Sequence, residues 1–522
     1  MKLNLTVLLT AIILFLSACS SGQSTGSENT EQKETETTEN KVEGVTATNS
    51  ETPTENEFDL VAKEVEHPLN SDVTITAWTY NGSVPGPQLR VKEGDKVKIN
   101  LKNELSEPTS IHWHGIPVPN EMDGIPGVTQ NAVQPGETFT YEFTAMVPGT
   151  YMYHTHQDAV NQMDKGLYGS IVIEPKEKTY DRDFTLLLDE WMSNQAASAS
   201  MSEETAGMDH SNMSGMNHGS SSEEEEHGSE SMGHDMSGYD IFTMNGKSGD
   251  AIEPLTVKEG ETVRLRLVNV GYLSHNIHLH GHAFKVAAID GQELNEPKEI
   301  KDELIAIGPG ERYDIEFTAN NPGEWYLECH GDMEGTEGMK TLIQYEGNSE
   351  SKDQSNQNES LQVFNFMNYG AAASGEFSLD QEYDIEYTME LNGNDMENVW
   401  SINGKSFPNI DGLNVKEGDL IKVKLVNNSP EGVDHPMHLH GHFFQVLSKN
   451  GKPVEGSPII KDTINLKSGD EYVVAFKADN PGNWLFHCHD LHHATAGMVD
   501  LIKYEGFKPN FTPDPNANNK PE

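Results

Sequence analysis

Cysteine is scarce in this chain: three residues in 522, at positions 19, 329 and 488. Three scattered thiols cannot make the disulfide framework that staples small secreted domains, so each needs its own explanation. Cationic side chains are scarce too, 35 Lys and Arg against 84 Asp and Glu, for a formal charge of −49. That shortage excludes nucleic acid as a partner, because phosphate binding needs basic patches. It suits attraction of cationic substrates or metal ions. Long apolar runs are missing beyond the N-terminus, so no later segment is long enough to span a bilayer. Sustained helical periodicity is absent as well.

The single apolar run, Leu3 to Leu16 behind Lys2, is too short for a comfortable span and has the form of a signal-peptide core. It ends in Leu16-Ser17-Ala18-Cys19, which resembles the bacterial lipobox. The resemblance implies that residues 1–19 are a lipoprotein signal peptide and that Cys19 is lipidated. The acyl chains would then hold the protein extracytoplasmically, on the outer face of the bacterial cell membrane, with no other membrane contact. Residues 20–57 are rich in Ser, Thr, Glu, Asn and Gly; they cannot bury a core and read as a disordered tether.

Beyond the tether the chain carries one pattern three times. Val91-Lys92-Glu93-Gly94-Asp95 recurs as Val257-Lys258-Glu259-Gly260-Glu261 and as Val415-Lys416-Glu417-Gly418-Asp419. Each copy leads into apolar and polar residues alternating with period two, which means strand. Each repeat later reaches a Pro-Gly turn and an aromatic strand: Pro148-Gly149-Thr150-Tyr151, Pro322-Gly323-Glu324-Trp325 and Pro481-Gly482-Asn483-Trp484. Short strands separated by Gly, Pro and Asn turns predict an all-β chain of three consecutive β-sandwiches, at 58–178, 179–348 and 360–510. A polar insert at 193–237 interrupts the second, and 347–359 reads as a linker.

Four His-x-His pairs lie at strand-like positions: His112/His114, His154/His156, His438/His440 and His487/His489. Residues i and i+2 of a strand share a face, so each pair offers two imidazoles to one site. Eight nitrogens divide as two, three and three over three ions, and imidazole suits copper. Cys488, between the last two histidines, points to the opposite face. With His493, Met498 and the upstream His435 it makes the ligand set of a blue-copper electron-transfer site.

These motifs, with Asn81-Gly82-Ser83-Val84-Pro85-Gly86-Pro87, His112-Trp113-His114-Gly115 and Tyr153-His154-Thr155-His156, resemble those of the multicopper oxidases over nearly all of residues 58–505. The resemblance implies cupredoxin-like Greek-key sandwiches and an oxidoreductase that reduces O2 to water, with four coppers. Carried over by position, the type 1 copper takes His435, Cys488, His493 and axial Met498, and the type 2 copper takes His112 and His438. One type 3 copper takes His114, His154 and His489; the other takes His156, His440 and His487. The cluster is then expected between the first and third sandwiches. Asp123, in Met122-Asp123-Gly124, matches the acid near the type 2 copper and is the candidate proton donor. Ala494 stands where related copper-resistance oxidases carry an acid just after the last type 1 histidine.

The middle repeat keeps His275, His278, His280, Cys329, His330 and Met339 at matching positions, with Glu328 and Glu334 replacing histidines. A fifth, altered mononuclear copper at His275, Cys329 and Met339 is therefore an expectation. The insert carries Met208, His210, Met213, Met216, His218, Met232, His234 and Met236 among Ser, Gly and Asn, which argues against a packed helix. Thioethers select Cu(I), so these residues are the candidate docking site for Cu(I) as electron donor in copper tolerance. Two alternatives are a laccase-type oxidase of phenols or aromatic amines and an extracellular copper-sequestering protein without turnover.

Overall fold

A computed structural model describes residues 55–193, 238–348, 361–394 and 399–522. Cys19, the tether and the Met/His residues of the insert lie outside them. The described chain is nearly all strand, in six sheets.

The first sandwich pairs a four-stranded sheet, in spatial order Thr74–Tyr80, Glu55–Pro68, Lys96–Asn103, Thr138–Thr144, with a second, Leu89–Lys92, Tyr168–Glu174, Gly149–His154, His112–His114. The alternation in Lys96–Asn103 turns Val97, Ile99 and Leu101 inward, where they meet Trp113, Tyr151 and Ile171 of the facing sheet in one buried core. The second and third sandwiches share the same plan with larger sheets. One sheet of the second runs through Arg182–Trp191 and Thr262–Asn269, the other through His275–Leu279 and Glu324–Cys329. In the third, Leu420–Asn427 lies in one sheet and His435–Leu439 beside Asn483–Cys488 in the other.

The repeated five-residue motif is a turn that feeds the inner strand. Its glycine has φ of +91° at Gly94, +92° at Gly260 and +95° at Gly418, with open space where a Cβ would stand. The left-handed backbone, not crowding, requires glycine there. Its acid closes the turn: Asp95, Glu261 and Asp419 accept from the backbone N–H of Lys92, Lys258 and Lys416 at 2.9, 2.9 and 2.7 Å.

The cores are not equally separate. The second and third sandwiches share one continuous apolar cluster, from Leu265 and Ile315 through to Val423 and Trp484. The first has its own, joined to the second by Val84, Met152, Trp191 and Val268 and to the third by Ile125, Leu485 and Val499. Among the described residues no helix is long and apolar enough to cross a membrane.

Candidate metal centre

The last strand pair sets the geometry. His435–Leu439 runs antiparallel to Asn483–Cys488 with Met437 opposite Cys488 and His438 opposite His487. In the first sandwich His112 stands opposite His154 in the same way. Strand alternation then sends His487 and His489 to one face and Cys488 to the other. The eight paired histidines meet where the first and third sandwiches touch, each about 1% exposed or less.

Three buried groups of potential ligands result, each with one ligating atom per residue within 4.8 Å of the others: His114, His154 and His489; His156, His440 and His487; and His435, Cys488 and His493. His112 and His438 form a further group, which also takes in His114.

Seven of the eight rings commit one nitrogen to the protein. His112 Nδ1 donates to Asp123 O (2.9 Å), His154 Nδ1 to Thr155 O (2.8 Å), His438 Nδ1 to Asp462 O (3.0 Å) and His487 Nδ1 to Cys488 O (3.0 Å). His156 Nδ1 donates to Pro521 O, and His114 Nε2 to the Thr463 hydroxyl at 3.0 Å. The opposite nitrogens, Nε2 of His112, His154, His156 and His438 and Nδ1 of His114, are buried without a hydrogen-bond partner, as are both of His489. His440 Nδ1 donates to Asp123 Oδ2 at 3.0 Å, so the Nε2 lone pairs of His440 and His487 face each other at 3.0 Å. Lone pairs so arranged fit a bound cation and little else. Burial, then the neighbouring imidazoles, holds His154, His440, His487 and His489 well below the ordinary histidine range, and His156 at about 3. Neutral imidazole is the ligand form.

The thiolate site lies on the other face. Cys488 Sγ is 3.7 Å from His435 Nδ1 and 3.6 Å from His493 Nδ1, and Met498 is fully buried in the same core. His493 is aimed by the short helix Leu491–Thr495, whose N-terminus Asp490 caps by accepting from the His492 and His493 N–H groups. Trp400 stacks on the His493 ring at 3.6 Å. Burial raises the Cys488 thiol well above its ordinary pKa, so the thiolate forms as a metal displaces its proton.

Asp123 holds two rings at once, through its carbonyl on His112 and its carboxylate on His440. Gly124 makes this fit: its φ is +83°, and a Cβ there would stand 1.7 Å from Ile111 O.

Two residues of the centre, Asp462 and Glu522, carry no local signature in the sequence. Asp462, fully buried, receives both arms of the Arg312 guanidinium at 2.6 and 2.5 Å and lies 3.3 Å from His114 and 3.4 Å from His438. Asp462 stands between the short strands Ile459–Lys461 and Thr463–Leu466. Glu522 is buried with Oε1 3.4 Å from His487 Nδ1 and 3.9 Å from His156 Nε2. The segment before it is tied to the first sandwich by Gln157 Nε2 donating to Asn518 O and Ala132 N donating to Asn519 Oδ1, both at 2.8 Å. Ala494 is buried beside Ile125, Leu485 and Val499.

In the second sandwich His275 Nδ1 lies 3.9 Å from Cys329 Sγ, above a fully buried Met339. Its Nε2 is 3.2 Å from Glu190 Oε2. Burial opposes the imidazolium, but Cys329 and Glu190 outweigh it and push His275 up to about 10. Glu334, at the position of the second histidine, is exposed.

A family model described as multicopper oxidase matches residues 62–178, and a second of the same description matches 223–348 and 382–504. The chain belongs to the multicopper oxidase family. It is similar to multicopper oxidase MmcO of Mycobacterium tuberculosis, 31% identical over 441 residues covering 82% of this chain and 83% of that protein. It is also similar to a copper resistance protein A homolog of Pseudomonas syringae pv. tomato, 26% identical with 86% and 92% covered. Among solved structures, a multi-copper oxidase from Pseudomonas thermotolerans superposes with a TM-score of 0.63 at 26% identity, over 87% of this chain and all of that one. As a multicopper oxidase the protein is an oxidoreductase with O2 as acceptor, and its cofactor is copper.

Proposed function

We propose that this multicopper oxidase takes its electrons from Cu(I), converting it to Cu(II) in copper tolerance. His435, Cys488, His493 and Met498 would hold the type 1 copper, and His112 and His438 the type 2. His114, His154 and His489 would hold one type 3 copper, and His156, His440 and His487 the other. Copper bound there supplies one-electron oxidation at the first site and the four-electron reduction of O2 to two waters at the cluster.

The protein's part is orientation and exclusion of water. Cys488 shares backbone with His487 and His489, so the path between the sites is a few covalent bonds. Asp123 steadies His112 and His440 and is the acid in position to pass protons to the cluster. Asp462, Thr463 and the backbone carbonyls fix which nitrogen each ring presents.

The observation that carries the choice of Cu(I) is the root of the insert. Strands Arg182–Trp191 and Ile241–Met244 pair antiparallel, so the described residues that flank the insert stand together, with Ser193 N donating to Asp240 Oδ1 at 2.7 Å. There Met192 and Tyr239 pack with Tyr272 and Leu491, and Leu491 opens the helix that carries His493. A Met/His-rich segment is thus rooted beside a type 1 ligand. The similarity to a protein named for copper resistance supports the same reading.

Steady-state O2 uptake tests it, with Cu(I) or a phenol as donor, on the full chain and on a chain lacking residues 201–237. The deletion should raise KM for Cu(I) at least ~10-fold and leave phenol oxidation unchanged. Equal Cu(I) kinetics in both proteins would sink the proposal. The proposed site of action is the outer face of the cell membrane, held by lipid at Cys19. Cys19→Ser should release the protein into the medium and abolish incorporation of labelled fatty acid; retention in the membrane fraction would refute the anchor.

A further inference from the structure

A second imidazole cluster lies in the second sandwich, away from the sites above. His278 is on strand His275–Leu279, His280 comes just after that strand, and His330 just after Glu324–Cys329. The register sets His278 opposite Glu328. The ring centroids are 4.1 Å apart for His278 and His280, 5.1 Å for His278 and His330, and 5.9 Å for His280 and His330. One nitrogen from each lies within 4.8 Å of the others.

The ring nitrogens show what the cluster lacks. Both of His278 and the Nε2 of His280 and His330 are buried with no hydrogen-bond partner. Glu328 Oε1 lies 2.8 Å from His280 Nε2 and 3.6 Å from His330 Nε2, so one carboxylate already faces two of the rings. His282 of the same sandwich is the contrast. Its Nδ1 bonds to His280 O at 2.9 Å and its Nε2 to the Tyr345 hydroxyl at 2.6 Å, as a packed structural histidine should. Buried ring nitrogens left without a partner are costly. One cation facing all three rings removes most of that cost.

We propose that His278, His280, His330 and Glu328 form a mononuclear site for a divalent first-row cation, separate from the four-copper machinery. Three imidazoles and a carboxylate, with no sulfur, suit Cu(II) or Zn(II) and select against Cu(I). Cys329 stands between Glu328 and His330 in sequence, so alternation turns its thiol to the opposite face. This metal therefore does not share the His275–Cys329–Met339 pocket, where His275 Nδ1 lies 3.9 Å from the Cys329 thiol. Side-chain exposures of 7% for His278, 10% for His280, 13% for Glu328 and 22% for His330 put the site at the solvent edge, where an aqueous ion can enter. The inference does not depend on which donor reduces the enzyme.

The test counts metal on the copper-loaded full chain. Zn(II) or Cu(II) is added in separate arms, loosely bound ion is removed by desalting, and the retained metal is measured. The wild type should keep one more equivalent than a His280→Ala/His330→Ala variant, with type 1 absorbance and O2 uptake equal in the two. Retention in either arm supports the site, and the tighter arm names its cation. Equal retention in wild type and variant in both arms overturns it. Should the double variant lose its type 1 absorbance through misfolding, Glu328→Gln decides instead. It should weaken retention at least ~10-fold with an unchanged spectrum, and unchanged affinity rejects the proposal.

Discussion

Arg312 comes from the second sandwich and Asp462 from the third, and both are fully buried. The guanidinium gives two bonds to the carboxylate, at 2.6 and 2.5 Å, and two more to the carbonyls of Gly310 (3.0 Å) and Thr150 (3.2 Å), the latter in the first sandwich. Arg312→Met keeps most of the stem and removes all four. Asp462 is then left with the Thr463 hydroxyl at 2.8 Å and the two imidazoles. Removing one partner of a buried pair costs about 3–5 kcal/mol, whereas replacing both by apolar groups costs far less. Arg312→Met should thus destabilise the protein by about 3–5 kcal/mol, and Arg312→Met/Asp462→Leu should recover at least half of that. The pH dependence has a definite sign. In the wild type, burial alone would raise the Asp462 carboxyl, but Arg312 outweighs it and holds the pKa well below the ordinary value. Without Arg312 burial is opposed only by the bonds from His114, His438 and Thr463, so the folded pKa rises. The penalty therefore grows with pH, from the depressed wild-type pKa up to the raised pKa of the variant. Guanidinium unfolding of wild type, single and double variants at pH 4 and 7 measures this. A loss of under ~1 kcal/mol in the single variant, or one that shrinks from pH 4 to 7, would refute the reasoning. Recovery of stability need not restore copper, because the double variant still lacks the carboxylate beside His114 and His438.

The copper-free protein should lose stability as pH falls from about 6.5 towards 5. At least seven cluster and type 1 histidines have folded pKa values depressed by burial, so the unfolded chain takes up protons first; the limiting slope is ~1.4 kcal/mol per pH unit for each. A melting temperature flat over that range contradicts the neutral-imidazole assignment. Gly94→Ala should cost only the left-handed backbone, ~1–2 kcal/mol, and keep the full copper spectrum. Gly124→Ala adds a collision with Ile111 O and should lose cluster copper; identical copper content in the two would show that Asp123 needs no such fit. Deleting residues 519–522 uncovers His156 and His487, so a chelator should strip cluster copper several-fold faster while type 1 absorbance decays as before. Unchanged stripping would mean that this segment does not guard the cluster.

The sequence shows only part of this architecture. The His-x-His pairs were readable because a strand's period of two turns spacing directly into facing, and the repeated turn motif because left-handed backbone demands glycine and its acid caps the turn. The supports of the centre were not readable. Asp462 lies 150 positions from Arg312 and more than twice as far from His114. No local period links such residues. Trp400 on His493 and Glu522 beside His487 belong to the same class. In the second sandwich the sequence drew attention to the cysteine, yet the unmatched nitrogens collect on the opposite face, and only coordinates show which ring nitrogens already have partners.

The unequal sharing of cores bears on biogenesis. Two sandwiches are fused by a common apolar cluster, while the third partner, at the N-terminal end, keeps its own and meets them through small seams. The cofactor's eight imidazoles straddle one of those seams. Metal held by histidines from both sides of that seam would cross-link the two modules, beyond what their small apolar contacts supply.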